Sequence, residues 1–221
     1  LVSLVPLASL GYKLISQGET LIEERASSYL NGLSKQNAGA IREFMLERVN
    51  DLKQLSGMIC KLDPDTGILA VHLEKIKDRV QPYLGFFGVD RSATVIFSTR
   101  DPAMDLFLDK QAVVHTWMGA SFTDIFSFPL GQENIPALVV CTSIAAAPEE
   151  ACTRLCAVID FRFVDVLLRK SNIEETGEVY LVDNTGKFLS SSRFGARALA
   201  DTIAIDFSDS RVHGLHEILD Y

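Results

Sequence analysis

The chain has 221 residues, of which 48% are hydrophobic and 23% charged. That is enough apolar content for one extended core or two small ones, and it excludes a disordered chain. Its 29 acidic side chains outnumber the 21 basic ones, for a formal charge of −8. No broad basic surface remains to neutralise phosphates, so no nucleic-acid partner is expected.

Residues 1–15 carry a single charge, Lys13. They fall short of the roughly 20 residues that cross a bilayer, but they fit the outer half of a transmembrane helix that begins before Leu1. A long polar helix follows directly, so the expectation is a membrane anchor over 1–15. A signal-peptide remnant and a buried core helix are the competing readings. From Glu19 to Gly57 there is no proline, and Ile22, Ala26, Tyr29, Leu33, Ile41, Met45, Val49, Leu52 and Leu55 recur at steps of three and four, interrupted by Asn37. The spacing predicts one amphipathic helix over 16–57. Such a helix serves both for packing and as the seam of a homodimer, with Asn37 fixing register.

Residues 63–67 read as a turn and 68–80 as a shorter helix. A strand from Phe86 then enters a turn at Asp90-Arg91-Ser92 and returns through 93–100. Asp101-Pro102 opens a helical excursion to about Met118, closed by Gly119. Three strands are expected at 121–128, 137–144 and 153–161, with turns at 129–134 and 147–150, and then a short helix at 163–170. Residues 177–192 predict a hairpin, because Val179, Leu181 and Phe188 alternate with more polar positions around Asp183-Asn184-Thr185-Gly186. A second excursion at 194–214 and a strand at 215–221 complete the chain.

Common catalytic signatures are missing: there is no phosphate loop, dinucleotide fingerprint, metalloprotease helix or Gly-x-Ser-x-Gly elbow. No catalytic residue, metal or cofactor is expected. Cys152 and Cys156 share one face of a strand, and Cys141 lies on the preceding strand. Either pairing of Cys141 is compatible with this, although free buried thiols are the preferred reading and the spacing suits no metal site. Cys60 stands apart. The four histidines, at 72, 115, 213 and 216, are scattered and read as surface residues. Trp117, the sole tryptophan, is either core or a ligand-stacking residue near the aromatic run Phe122, Phe126 and Phe128.

The stretch Gly-Glu-Val-Tyr-Leu-Val-Asp-Asn-Thr-Gly-Lys-Phe-Leu-Ser-Ser-Ser-Arg at 177–193 resembles a segment of the Cache superfamily, the PAS-like extracytoplasmic sensor domains of bacterial receptors. The segment from Phe86 to Arg100 repeats the same order of strand, Asp-containing turn, strand and Ser/Thr-Arg. Together they resemble a double Cache domain over roughly 19–221. The resemblance implies an α+β fold in which the long helix precedes two PAS-like modules with antiparallel sheets. The membrane-distal module would span 58–170 and an incomplete membrane-proximal one 171–221.

The function implied is the ligand-sensing region of a membrane-bound signal-transduction receptor, a histidine kinase or chemoreceptor. It would sit at the cell membrane with this region periplasmic or extracellular. The ligand would lie in the distal module, a small metabolite such as a weak acid held by Arg100 or Lys110, with Trp117, Asp124 and Phe126 shaping the walls. One large subgroup recognises amino acids through an Arg-x-Trp cluster and an Asp. Here Asp109-Lys110-Gln111-Ala112-Val113 replaces the cluster and Val158 the Asp, so an amino-acid ligand is disfavoured, although a shift of two residues would bring in Asp160. The alternative is a ligand-free structural module that dimerises or recruits a partner protein. A secreted hydrolase-like domain is a third, weaker reading.

Overall fold

Helix α1 runs without a break over Leu4–Ile59, about 84 Å at 1.5 Å per residue. Pro6 falls in its first turn, where the missing N–H has no intrahelical partner to lose. The computed structural model describes residues 4–59, 66–79, 82–92, 94–99, 104, 108, 123, 125–144, 154–170 and 178–203. These fall into two units that divide within α1, between Ala40 and Ile41. The apolar stripe, read in the sequence as interrupted at Asn37, differs between them. Tyr12, Ile15, Ile22 and Tyr29 are exposed, whereas Ile41, Leu52 and Ser56 are buried. Among the described residues no helix is long and apolar enough to cross a membrane.

In the unit of residues 41–205, α2 (Thr66–Arg79) precedes a five-stranded antiparallel sheet. Its strands are β1 (Tyr83–Val89), β2 (Val95–Ser98), β3 (Phe126–Leu130), β4 (Glu133–Ser143) and β5 (Arg154–Asp160), in the order β2-β1-β5-β4-β3. Helix α3 (Phe163–Arg169) follows β5. The apolar runs of β1, β4 and β5 are buried on both faces, which is why they read as near-continuous hydrophobic segments rather than alternating ones. Phe87, Val89, Val139, Cys141, Cys156 and Val158 share one face with Met104 and Phe128. Phe86, Leu138, Val140, Leu155, Ala157 and Ile159 are buried on the other, and α2 lies against β1.

Two expectations need correction. Residues 129–134 are not a long turn: β3 and β4 continue to a two-residue connection at Gly131-Gln132, with Leu130 opposite Glu133. Gly131 adopts φ +63°, which lets the ladder close tightly, and Pro129 is tolerated because β3 is an edge strand. The preferred free thiols are replaced by a Cys141–Cys156 disulfide. The two residues are directly opposite in the β4–β5 register with Cα atoms 4.1 Å apart, the close spacing of a non-hydrogen-bonded antiparallel pair. Cys60 and Cys152 lie outside the described residues.

The turn chemistry expected at two places is present at both. Asp90 Oδ1 accepts the backbone N–H of Ser92 and of Thr94 and the Ser92 hydroxyl, each at 2.8 Å. Asp183 Oδ1 accepts the equivalent three donors, Thr185 N, the Thr185 hydroxyl and Lys187 N, at 2.8, 2.6 and 3.0 Å. Beyond each turn a buried hydroxyl locks the facing strand: Thr99 Oγ1 accepts Phe86 N, and Ser190 Oγ accepts Leu181 N. Residues 178–203 form this hairpin through isolated bridges, Val182 with Phe188 and Lys187 with Thr202, rather than through long strands. The strand expected at 215–221 lies outside the described residues.

Candidate functional site

Of the five residues expected to bind ligand, Phe126 is described and Arg100, Lys110, Trp117 and Asp124 lie outside the described residues. Phe126 opens β3 and packs, partly buried, against the core cluster on one sheet face. Thr123, just before it, is tied to β4: its N–H donates to Val139 O at 3.0 Å and its hydroxyl accepts Val139 N at 2.9 Å. Met104 and Leu108, both helical, cover the same face. Gly85 makes this possible, because a Cβ there would lie 2.5 Å from Met104 Sδ and 2.9 Å from Thr99 Oγ1.

Positions that would hold an amine-binding carboxylate are otherwise engaged. Val158 is fully buried in the core cluster. Asp160, two residues on and so on the same face, is clamped by Arg162: its Oδ1 accepts Arg162 N and Nε at 2.9 and 3.0 Å, and its Oδ2 accepts Nη2 at 2.6 Å.

A cavity of about 450 Å³ opens elsewhere, between the β3–β4 hairpin and the 187–200 segment. Ile125, Phe126, Ser127 and Asn134 form one wall, and Lys187 with residues 197–200 the other. Among the described residues two basic side chains and no acidic one line it. Lys187 is positioned by the Asp183 turn, and Leu199 by its N–H donating to Phe188 O at 2.7 Å. Partial burial alone would push the Asp183 carboxyl up, but the hydrogen bonds from Thr185 and Lys187 and the Lys187 charge hold it below its ordinary value. Lys187, Arg197, Asn134 and Leu199 were not singled out from the sequence. Their grouping depends on bringing together positions about 60 residues apart, for which no local pattern exists.

A second cluster joins α1 to the sheet. Arg48 Nη1 lies 3.1 Å from Asp51 Oδ2, which accepts the Tyr83 hydroxyl at 3.2 Å. Burial, and then the Asp51 carboxylate, push the Tyr83 hydroxyl well above its ordinary value. Phe44 of α1 stacks on Phe163 at the start of α3, with ring centroids 3.7 Å apart. From α3, Asp165 Oδ1 accepts Ser191 N at 2.8 Å. Helix α3 is thus fixed to α1 at one point and to the second hairpin at another.

No protein-family model matches the chain, and no curated protein matches it. Solved structures do. The ligand-binding domain of the Pseudomonas aeruginosa amino-acid chemoreceptor PctC, in complex with GABA, is similar with a TM-score of 0.58 at 18% identity, over 79% of this chain and 78% of that one. At this identity the likeness is one of fold. The ligand-binding domain of the Pseudomonas fluorescens chemoreceptor CtaA, in complex with L-serine, gives 0.57 at 14% identity over 80% and 77% of the two chains. The sensory domain of the Campylobacter jejuni chemoreceptor Tlp3, with isoleucine bound, gives 0.52 at 14% identity over 77% and 72%. The long helix followed by a five-stranded antiparallel sheet is the α+β arrangement expected of this fold class.

Proposed function

We propose that the chain is the extracytoplasmic ligand-sensing region of a membrane-bound bacterial signal-transduction receptor, built as a distal module over 58–170 and a proximal module from 171. The observation that carries this reading is the sensor-domain fold, matched over about four fifths of the chain. The same Asp-centred turn with the same three donors, at Asp90 and again at Asp183, supports two related modules. The exposed stripe of Tyr12, Ile15, Ile22 and Tyr29 supports a homodimer seam near a membrane.

The ligand is a small metabolite bound between the sheet and residues 101–118, with Arg100 or Lys110 on a carboxylate and Trp117, Asp124 and Phe126 as walls. Met104 and Leu108 support this placement, since they seat part of that stretch on the sheet. The engagement of Val158 and Asp160 favours an acid without an α-amine. Binding shifts a signalling equilibrium only through its differential affinity, and about 1.4 kcal/mol changes the population ratio tenfold. Phe163 and Asp165 on α3 offer a route for that shift to α1 and to the second hairpin.

A metabolite panel screened by thermal shift tests this. A ligand at about 100 times its Kd stabilises the fold by about 2.7 kcal/mol. Asp124→Ala and Trp117→Ala should abolish that gain in a protein that still folds. Stabilisation untouched by substitution at Arg100, Lys110, Trp117 and Asp124 would place the ligand elsewhere. The competing reading, a ligand-free module that only dimerises or recruits a partner protein, draws support from the sheet face filled by Phe87, Met104, Phe128 and Val139. A panel that yields no stabilising ligand at all would favour it.

A further inference from the structure

We propose that the groove between the β3–β4 hairpin and residues 187–200 is a second small-molecule site, one that takes an organic monoanion with an apolar body and holds its negative head between Lys187 and Arg197. The cavity of about 450 Å³ lies within the size range of metabolite sites. Its chemistry is one-sided. In a chain with eight more acidic than basic side chains, the described residues of the lining include two cations, Asn134 and Ser127, and no carboxylate. Ile125, Phe126, Ala198 and Leu199 supply apolar surface. Such a site suits a ligand that is charged at one end and apolar at the other.

The cations are placed to serve it. Among the described residues Lys187 makes no direct ion pair, and its charge acts on the Asp183 carboxylate only at longer range. Arg197 meets Asp201 through Nε at 3.5 Å, a contact that does not occupy its two terminal nitrogens. Leu199 sits at φ +61°, a left-handed conformation that a branched residue rarely adopts. The bond from its N–H to Phe188 O holds it there, and its side chain forms part of the wall instead of being replaced by a glycine. Of the residues proposed for the site under residues 101–118, Phe126 alone is named for the groove as well.

Isothermal titration of the full 221-residue chain with benzoate, and with its neutral isostere benzamide, tests the inference. Benzoate should bind saturably at one site and benzamide at least tenfold more weakly. Lys187→Gln and Arg197→Gln should each weaken benzoate at least tenfold, and Lys75→Gln, exposed on α2, should leave it unchanged. Arg197 is 77% exposed, so its substitution tests the site even if Lys187→Gln disturbs folding. No saturable binding of benzoate at millimolar concentration, equal binding of benzamide, or full binding in the Lys187→Gln/Arg197→Gln protein would each overturn the proposal. Benzoate binding lost through Trp117 and Asp124 but not through the two cations would overturn it as well, and would leave the distal-site reading standing.

Discussion

Removing the Cys141–Cys156 bridge should destabilise the unit of residues 41–205 by a calculable amount. The two cysteines are 15 positions apart, and cross-linking a loop of about 15 residues removes roughly 3 kcal/mol of unfolded-state entropy. For a protein of this size, about 1 kcal/mol moves Tm by about 2–4 °C, so the reduced protein should melt about 6–12 °C lower. The residues are only 6% and 2% exposed. Reductant added to the folded protein can therefore act only through opening of the sheet, and the loss should be slow unless the protein is first unfolded in reductant and then refolded. Paired melts of oxidised and refolded-reduced protein measure the effect. Thiol titration in denaturant checks its origin, since two of the four cysteines should be unreactive in protein prepared through an oxidising compartment. Four reactive thiols, or equal melting of the two samples, would refute the reasoning.

Gly186→Ala should cost more than about 1 kcal/mol in chemical denaturation, because φ is +81° there and a Cβ would collide with the Ile203 carbonyl oxygen. Asp90 and Asp183 both have carboxyls held below their ordinary value, Asp90 chiefly by the Ser92 hydroxyl. Their contribution is present above the unfolded-state pKa and is lost as pH falls through the lower folded value. NMR of the turn amides should therefore show loosening only in acid below the usual carboxylate range, and the Asp183→Asn turn should not respond. Phe44→Ala removes one ring of the Phe44–Phe163 stack and should cost about 0.5–1.5 kcal/mol beyond the lost burial, read by urea unfolding at unchanged m-value. Single cysteines at Ile22 and Tyr29 should cross-link a dimer in membranes when Cys60 and Cys152 are absent. A cysteine at Ile41, which is 3% exposed, should not.

Local chemistry made much of the fold legible. The Asp-centred turns could be read because an Asp two residues before a Ser or Thr is a self-contained hydrogen-bonding unit, and it formed at both Asp90 and Asp183. Strands β1, β4 and β5 could be read from their apolar runs, although the start of β4 was misplaced because the run from Pro129 to Asn134 reads as a turn. Pro129 is tolerated on the edge strand β3, and Asn134 on the stretch of β4 that faces β3 alone, since pairing with β5 begins at Ala137, and nothing in the sequence says which strand is the edge. The split of the α1 stripe was illegible for a similar reason: Ile22 and Ile41 are the same residue type in the same period, and only tertiary packing covers one of them. The groove was less accessible still. Lys187 and Arg197 are ordinary surface residues until Phe126 and Asn134 are brought opposite them.

The unequal lengths of the strands also bear on how the molecule behaves in a crowd. The outer strands β2 and β3 span four and five residues beside an eleven-residue β4, and β3 ends in the sequence Phe-Pro-Leu. A free edge is a template on which another chain's strand can add, and its hazard grows with the length of uninterrupted backbone donors and acceptors. Among the described residues the long, sticky strands are interior, and the edge strands are short and, at Pro129, lack a donor. Lengthening β2 or replacing Pro129 by a β-branched residue would leave the core intact and turn the sheet into a surface on which neighbouring molecules polymerise.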